Sequence, residues 1–142
     1  MVHKYDIKID GPTDDGDDTG LSYIWMECKQ SDKELRGGFV FWGYYNGTTQ
    51  QCPNYMVGFQ LQMCNENVGA TNMVMYCSHD ESDYKTANSW GNSEGPCNWG
   101  PKQFCPQNYA VCGFQYQYEP QQGSDVDDSA ITNVKMLCCR VP

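Results

Sequence analysis

Apolar and polar residues alternate along several short segments of the chain. Alternation with a period of two places apolar side chains on one face of a β-strand, whereas an amphipathic helix needs a period of about 3.6. No segment sustains the helical period, and turn-forming pairs such as Gly37-Gly38, Asn46-Gly47 and Gly95-Pro96 separate the alternating segments. The pattern therefore predicts an all-β fold built from antiparallel sheets. The clearest segments are residues 5–9 (YDIKI), 24–28 (IWMEC), 59–63 (FQLQM), 73–77 (MVMYC), 114–118 (FQYQY) and 134–138 (VKMLC).

The alternating segments belong to an internal repeat. Residues 16–28 (GDDTGLSYIWMEC) and 126–138 (VDDSAITNVKMLC) match in register, and residues 66–77 (ENVGATNMVMYC) fit the same frame more weakly. A second block, which starts at a Cys-Pro, is shared by residues 52–63 and 105–118. Repetition at a period near fifty residues is typical of stacked or radially arranged supersecondary units.

The repeat also predicts the domain organisation and the core. At 142 residues we expect a single domain, residues 1–142, with units at about 1–28, 39–77 and 89–139, of which the first is incomplete. In the last strand of each unit, alternate positions place apolar side chains on one face, which is typical of a sheet that faces a shared core. Six side chains are therefore expected to point into one common core, and they are Ile24, Met26, Met73, Met75, Val134 and Met136.

Charge and cysteine content narrow the function classes. A formal net charge of −9 argues against nucleic-acid binding, which needs a basic surface. The nine cysteines include no C-x-x-C motif, and the only imidazole ligands on offer are those of His3 and His79. This composition favours a disulfide framework over a metal site, and we expect neither a metal nor a cofactor.

A disulfide framework predicts that the protein is secreted and extracellular. No segment approaches the length of a membrane span. Residues 1–10 lack the apolar region of a signal peptide, so we expect the leader to have been removed or replaced by an initiator Met.

Several motifs of the C-terminal unit occur together and in order over about fifty residues. They are a Trp-Gly, Cys105-Pro106, the Gly113-Phe114 strand, the Glu119-Pro120 turn with Gly123, the block from Asp127 to Ala130, and Cys138-Cys139. Together they resemble the C-terminal repeat of the vitelline membrane outer layer protein family, and residues 16–28 resemble the first repeat of that family. The resemblance implies a β-prism, in which three Greek-key sheets form walls with pseudo-threefold symmetry. It also implies a secreted protein with a structural or carbohydrate-related role in egg coats and mucosal fluids.

The chain departs from the family pattern at its first unit. The first repeat of the family begins with its own Trp-Gly and Cys-Pro half, which is not present ahead of residues 1–28. One wall of the prism is therefore expected to be incomplete. Because an exposed sheet edge can pair with another chain, we expect a homo-oligomer formed through that edge or through a leftover cysteine.

The repeat constrains the disulfides. The Cys-Pro cysteine of a unit is expected to bond the cysteine that ends the last strand of the same unit, which pairs Cys52 with Cys77. By the same rule Cys105 and Cys112 bond Cys138 and Cys139, in an order that the sequence leaves open. The three leftover cysteines are Cys28, Cys64 and Cys97. We expect one of them, and foremost Cys28, to be free or to link two chains.

Acidic side chains offer little support for catalysis. The Asp17-Asp18 and Asp127-Asp128 pairs recur with the repeat, so hydrogen bonding to backbone N–H groups in turns explains them better than a catalytic or Ca²⁺-binding role. A glycosidase needs two converging carboxylates, and no spacing singles out a pair among Asp10, Glu66 and Glu119. Neither histidine is placed as a base for a nucleophile. We therefore predict no catalytic residues.

Aromatic residues are the candidate glycan contacts. Packing is the favoured role of the repeated Trp-Gly motifs, whereas stacking on sugar rings is the functional alternative. The candidates are Trp42, Tyr44, Tyr45, Trp90 and Trp99. In addition, the Asn46-Gly47-Thr48 sequon makes Asn46 a candidate glycosylation acceptor, with an unmodified turn residue as the alternative.

These features lead to one functional prediction. The protein is expected to be a secreted structural or adhesive component of an extracellular coat or mucus that contacts glycans or glycoproteins of the matrix. The alternative is a carbohydrate-active enzyme that transfers or hydrolyses chitin oligosaccharides, or a sugar-binding lectin.

Overall fold

The computed structural model describes residues 1–10, 20–38, 44–45, 49–65, 69–87, 98–118 and 131–142. Within these residues the fold is all-β, as the alternation predicts, and no segment is helical. The strands are β1 (Val2–Asp10), β2 (Gly20–Cys28), β3 (Glu34–Gly38), β4 (Tyr44–Tyr45), β5 (Gln50–Gln51), β6 (Gly58–Asn65), β7 (Gly69–Tyr76), β8 (Tyr84–Thr86), β9 (Asn98–Trp99), β10 (Gln103–Phe104), β11 (Tyr109–Tyr118) and β12 (Ile131–Arg140).

The described strands form three antiparallel sheets. In the first sheet the order is β3-β2-β1-β4, and β5 also pairs with β1. The second sheet has the order β10-β6-β7-β8, and β9 also pairs with β6. Among the described residues, the third sheet consists of β11 and β12. Each sheet is therefore built around one pair of long strands.

The three central strand pairs share one register. In each pair, an aromatic residue of the first strand faces a Met of the second, and the residue two places further on faces an aliphatic or Met side chain. The pairs are Tyr5↔Met26 and Ile7↔Ile24, Phe59↔Met75 and Leu61↔Met73, and Phe114↔Met136 and Tyr116↔Val134. The repeat in the sequence is therefore also a repeat in the structure.

A β-bulge falls at the same place in each central pair. The second strand has one residue more than the first there, and that extra residue has a hydroxyl side chain in every unit: Ser22, Thr71 and Thr132. The Oγ of Ser22 donates to the carbonyl of Lys8 at 3.2 Å, and the Oγ1 of Thr132 donates to the carbonyl of Gln117 at 3.4 Å. Because a bulge bends its strand, the shared hydroxyl position marks a bend that belongs to the repeat.

The last long strands of the three units meet in one core. Each of β2, β7 and β12 contacts the other two. Five of the six predicted core side chains are buried in a common hydrophobic cluster, and Met136 packs against that cluster while half-buried. The predicted core is therefore confirmed. Three sheets around a shared core are consistent with the β-prism that the family resemblance implies.

The Tyr5 hydroxyl fastens the first sheet to the second. Its oxygen lies 2.9 Å from the carbonyl of Met73 and 2.8 Å from the carbonyl of Lys85, and it accepts a hydrogen bond from the Ala87 N–H at 2.9 Å. Burial raises the pKa of Tyr5, so the hydroxyl stays protonated and remains a donor. The equivalent residues Phe59 and Phe114 have no hydroxyl, so this link is specific to the first unit.

The Cys-Pro half of each later unit joins the preceding unit. The N–H of Cys52 donates to the carbonyl of His3, and the N–H of Cys105 donates to the carbonyl of Val57, both at 2.8 Å. The short strands ahead of these cysteines follow the same rule, because β4 and β5 pair with β1 while β9 and β10 pair with β6.

This exchange of strands corrects one expectation from the sequence. The incomplete wall was expected in the first unit, beside Cys28, because that unit lacks a Trp-Gly and Cys-Pro half. In the described residues the first sheet instead has five strands and the third has two. One sheet is therefore short of strands within the described residues, as expected, but it is the third sheet rather than the first. The reason is that the short strands ahead of a unit's Cys-Pro pair with the sheet of the unit before it.

Three disulfides join the strands within units. Cys52 is bonded to Cys77 in the second unit, which is the pairing that the repeat predicts. In the third unit Cys105 is bonded to Cys138 and Cys112 to Cys139, which gives the order that the sequence left open. These bridges close loops of 25, 33 and 27 residues, each of which stabilises the folded state by about 3–4 kcal/mol in the chain-entropy model.

Cys28 is the free cysteine among those that the structure describes, and it is buried. It ends β2 at the place where Cys77 and Cys138 end the equivalent segments of the other units, and both of those are bonded. The Cys64 side chain and Cys97 lie outside the described residues.

Replacing Met73 by Ala is expected to lower the free energy of unfolding by about 2–5 kcal/mol, because it opens a cavity in the shared core. Met73 is fully buried, whereas Met63 on the neighbouring strand is 36% exposed. Met63→Ala is therefore the matched control, with an expected change of less than about 1 kcal/mol. Urea unfolding of the oxidised variants measures both values, and equal losses would contradict the burial of Met73 in the shared core.

Cys28 is expected to resist alkylation in the folded protein and to react once the protein is unfolded without reductant, because its thiol is buried and unbonded. Iodoacetamide labelling, with and without guanidinium chloride, followed by peptide mapping, gives the labelled fraction of Cys28 separately from that of Cys64 and Cys97. Labelling of Cys28 in the native protein, or its recovery in a disulfide-linked peptide, would show that this thiol is not enclosed.

Candidate functional site

The outward face of the second sheet carries a groove. Strands β6 and β7 alternate, so Phe59 and Met75 face the core while Gln60 and Tyr76 face outward. The groove has a volume of about 460 Å³. We call it the outer groove, and its lining residues are Gln60, Val74, Tyr76, Glu81, Tyr84, Thr86, Trp99 and Lys102.

Two exposed aromatic side chains stand on opposite sides of the outer groove. Tyr84 is 60% exposed and Trp99 is 41% exposed. Tyr84 lies on β8 and Trp99 on β9, and the strands β7 and β6 run between them. Three strand spacings of about 4.8 Å separate their backbones by roughly 14 Å across the sheet. Trp99 pairs with Gln62 and Tyr84 with Tyr76, which faces Gly58, so an offset of four residues along the strands raises the separation to roughly 19 Å. The two rings therefore form two separate apolar platforms.

The floor of the outer groove is polar and held in place by hydrogen bonds. The Tyr76 hydroxyl donates to Oε1 of Gln60 at 2.9 Å, and Nε2 of Gln60 donates to the carbonyl of Gly100 at 2.8 Å. The Tyr76 ring also packs beside the rings of Phe104 and Tyr84, with centroids 5.1 and 6.2 Å away. The amide of Gln60 and the hydroxyl of Tyr76 are therefore fixed before any ligand binds.

An ion pair lies at the rim of the outer groove. Nζ of Lys102 is 2.9 Å from Oε2 of Glu81, and this hydrogen bond raises the pKa of Lys102. The two side chains carry opposite charges, which offset each other. The rim therefore adds no net charge to the groove.

A hydrogen-bonded loop presents Glu81. Glu81 has a φ of 68°, which is in the left-handed region that most residues avoid. Next to it, Oδ1 of Asp80 accepts hydrogen bonds from the N–H and Oγ of Ser82 and from Oγ of Ser78. These donors, with the Ser82 hydroxyl foremost, lower the pKa of Asp80 to about 2. The charged Asp80 carboxylate thus holds the turn in which Glu81 adopts its unusual conformation.

The three sheets carry similar residues on the face toward the core and different residues on the outward face. At the outward positions equivalent to Gln60, Val74 and Tyr76, the first sheet has Asp6, Trp25 and Glu27, and the third has Gln115, Lys135 and Leu137. The core therefore does not require the aromatic and polar cluster of the second sheet. Its presence there needs another explanation.

The structure separates the predicted glycan contacts. Trp99 lines the outer groove, and its exposure contradicts a buried packing role for this Trp-Gly motif. Tyr44 and Tyr45 form β4 on the first sheet, away from the strand of Trp99. Their side chains, together with Trp42, Trp90 and the sequon residue Asn46, lie outside the part of the chain that the structure describes.

Sequence reasoning missed Tyr84, Gln60, Tyr76 and the ion pair of Glu81 with Lys102. The available signal was the outward half of the alternation in the second unit, where Gln60 and Tyr76 occupy the faces opposite Phe59 and Met75. Tyr84 and Lys102 had no such signal, because they come from separate segments that only the folded sheet brings together.

The two histidines contact a carboxylate and a backbone carbonyl. His3 is buried, its ring nitrogens have no hydrogen-bond partner among the described residues, and its Nε2 lies 3.5 Å from Oε2 of Glu27. Nε2 of His79 lies 3.0 Å from the carbonyl oxygen of Cys105. The acidic pairs Asp17-Asp18 and Asp127-Asp128, as well as Glu66, Glu119 and the Asp10 side chain, lie outside the described residues.

The described residues offer neither a metal cluster nor a helix that could span a membrane. They contain no cluster of three or more His, Cys, Asp or Glu side chains suited to holding a metal ion. They also contain no helix with the length and apolar character needed to cross a membrane.

Comparison with known proteins shows that the chain matches the model of one protein family. The model of the family "Vitelline membrane outer layer protein I" matches residues 1–141 of the chain. The mouse (Mus musculus) vitelline membrane outer layer protein 1 homolog is 31% identical over 58 residues. That alignment covers 41% of this chain and 26% of the mouse protein, so it spans about a quarter of the relative's length.

Proposed function

Because the chain belongs to the vitelline membrane outer layer protein I family, we propose that it is a secreted structural or adhesive protein of an extracellular coat or mucus. The three disulfides in the described residues support this proposal, since such bonds persist in oxidising, extracellular surroundings. They fasten the ends of long strands, and a cross-linked β core suits a protein that must last outside the cell.

We also propose that the protein contacts glycans or glycoproteins of that coat. The outer groove is the observation that carries this proposal, because it presents Tyr84 and Trp99 above fixed polar groups. Aromatic rings pack against the apolar C–H faces of sugars, while amide and hydroxyl groups bond the sugar hydroxyls. A groove of about 460 Å³ is within the range of small-ligand sites, about 300–1,000 Å³.

Self-association through a sheet edge is a further part of the proposal. Within the described residues β11 and β12 pair only with each other, and an unpaired strand edge can recruit another chain. Cys28 is buried, which disfavours it as the link between two chains.

The oxidised protein is expected to bind a coat glycoprotein such as mucin, and binding should fall strongly after the mucin is enzymatically deglycosylated. Biolayer interferometry against intact and deglycosylated mucin measures this difference. A parallel assay for hydrolysis and transglycosylation of chitin oligomers is expected to show no turnover. Equal binding to both mucins, or no binding, would contradict glycan contact, and turnover would favour the carbohydrate-active enzyme.

A further inference from the structure

We propose that the outer groove is the glycan-binding site and that it takes a neutral pyranose oligosaccharide, whose rings stack on Tyr84 and Trp99. This inference rests on the proposed glycan contact, and it adds a place and a ligand class. Four features of the groove support it: the spacing of the aromatic rings, the polar floor, the charge balance and the divergence of the three sheets.

The spacing of the aromatic rings favours an oligosaccharide over a single sugar. The backbones of Tyr84 and Trp99 are roughly 19 Å apart, and both rings are exposed. One pyranose ring covers one aromatic face, so two separated platforms engage different residues of the same chain. Both platforms sit on a paired sheet that Cys52–Cys77 anchors at its end, so their separation is fixed in advance.

The polar floor supplies hydrogen bonds at low entropic cost. Gln60 uses one N–H for the Gly100 carbonyl, and its second N–H is available to a sugar hydroxyl. The Tyr76 hydroxyl donates to Gln60 and retains lone pairs that accept from a sugar. Because both side chains are already immobilised, binding does not have to restrict them further.

The charge balance selects neutral sugars. Lys102 is the cation of the groove lining, and its 2.9 Å contact with Glu81 offsets its charge. The chain as a whole carries a net charge of −9, which repels sialylated and sulfated glycans at long range. A chain of neutral hexose or N-acetylhexosamine units is not repelled by the net charge of the protein. It also does not need an unpaired cation in the groove.

Within the described residues, the divergence of the three sheets favours the second sheet as the place of the proposed site. Inward positions repeat because all three sheets share a core, but outward positions are free to change. Among the described residues, the second sheet alone carries two exposed aromatic side chains over a hydrogen-bonded Gln and Tyr. The first sheet has acidic Asp6 and Glu27 at the equivalent places, which do not form such a platform.

The test uses a glycan array of neutral oligosaccharides of three to six pyranose units, with each neutral glycan beside its sialylated or sulfated counterpart. Trp99→Ala and Tyr84→Ala are each expected to weaken binding to the neutral glycans roughly 10-fold or more, because buried Trp and Tyr contacts dominate such interfaces. Tyr84→Phe keeps the ring and should change binding by less than about 3-fold. Trp25→Ala, at an outward place on the first sheet, is the matched control and should bind like the wild type.

A charge variant tests the ligand class. Glu81→Gln leaves Lys102 without its partner, so binding to the acidic counterparts should increase at low salt. Thermal unfolding of every variant checks that the fold is intact.

The binding results distinguish failure of the site, failure of the ligand class and failure of the proposed glycan contact. Neutral binding that survives in folded Trp99→Ala and Tyr84→Ala would overturn the outer groove as the site and leave the proposed glycan contact standing. A wild-type preference for the acidic counterparts would overturn the ligand class. If the wild type binds no glycan on the array and no mucin, the proposed glycan contact itself fails.

Discussion

Three strand pairs hold one register, and a hydroxyl residue marks the bulge at the same place in each pair. Since successive side chains on a strand point to opposite faces, a slip of one residue would turn every core side chain toward solvent. The register thus decides that Ile24, Met73 and Val134 meet in the shared core. The disulfides and the Tyr5 hydroxyl then act on strands whose faces are already assigned.

The shared register also divides the strand positions into inward ones, which the fold restricts, and outward ones, which are free to vary. Inward positions of the three units are restricted to apolar side chains of similar size, because they fill one core. Outward positions carry no such restriction, and the second sheet uses this freedom to build the outer groove. Changes at Tyr84 or Trp99 therefore do not reach the core, so the binding that we propose for this face can vary without loss of stability.

The sequence alone predicted the parts of the fold that follow from local periodicity and the repeat. Alternation identified the long strands and the core faces, and the repeat placed Cys52 with Cys77. It did not predict which sheet β4 and β9 join, because a two-residue strand carries no periodicity and its partner is chosen by tertiary packing. The order of the Cys138 and Cys139 bonds was open for a similar reason. Adjacent residues point to opposite faces, and only the pairing of β11 with β12 shows which partner each one meets.

The candidate site was predictable only in small part. Trp99 was a candidate because Trp-Gly recurs, but Tyr84 and Lys102 come from loops and short strands whose neighbours are set by the fold. The hydrogen bond from Tyr76 to Gln60 joins residues 16 positions apart, and no local pattern encodes it.

Native-state hydrogen exchange tests most directly whether the three strand pairs form one core. The account predicts that the slowest amides of β1–β2, β6–β7 and β11–β12 exchange through the same global unfolding, with equal opening free energies and equal denaturant dependence. Exchange of the β11–β12 amides through a separate opening of lower free energy, while the other two pairs stay protected, would contradict it.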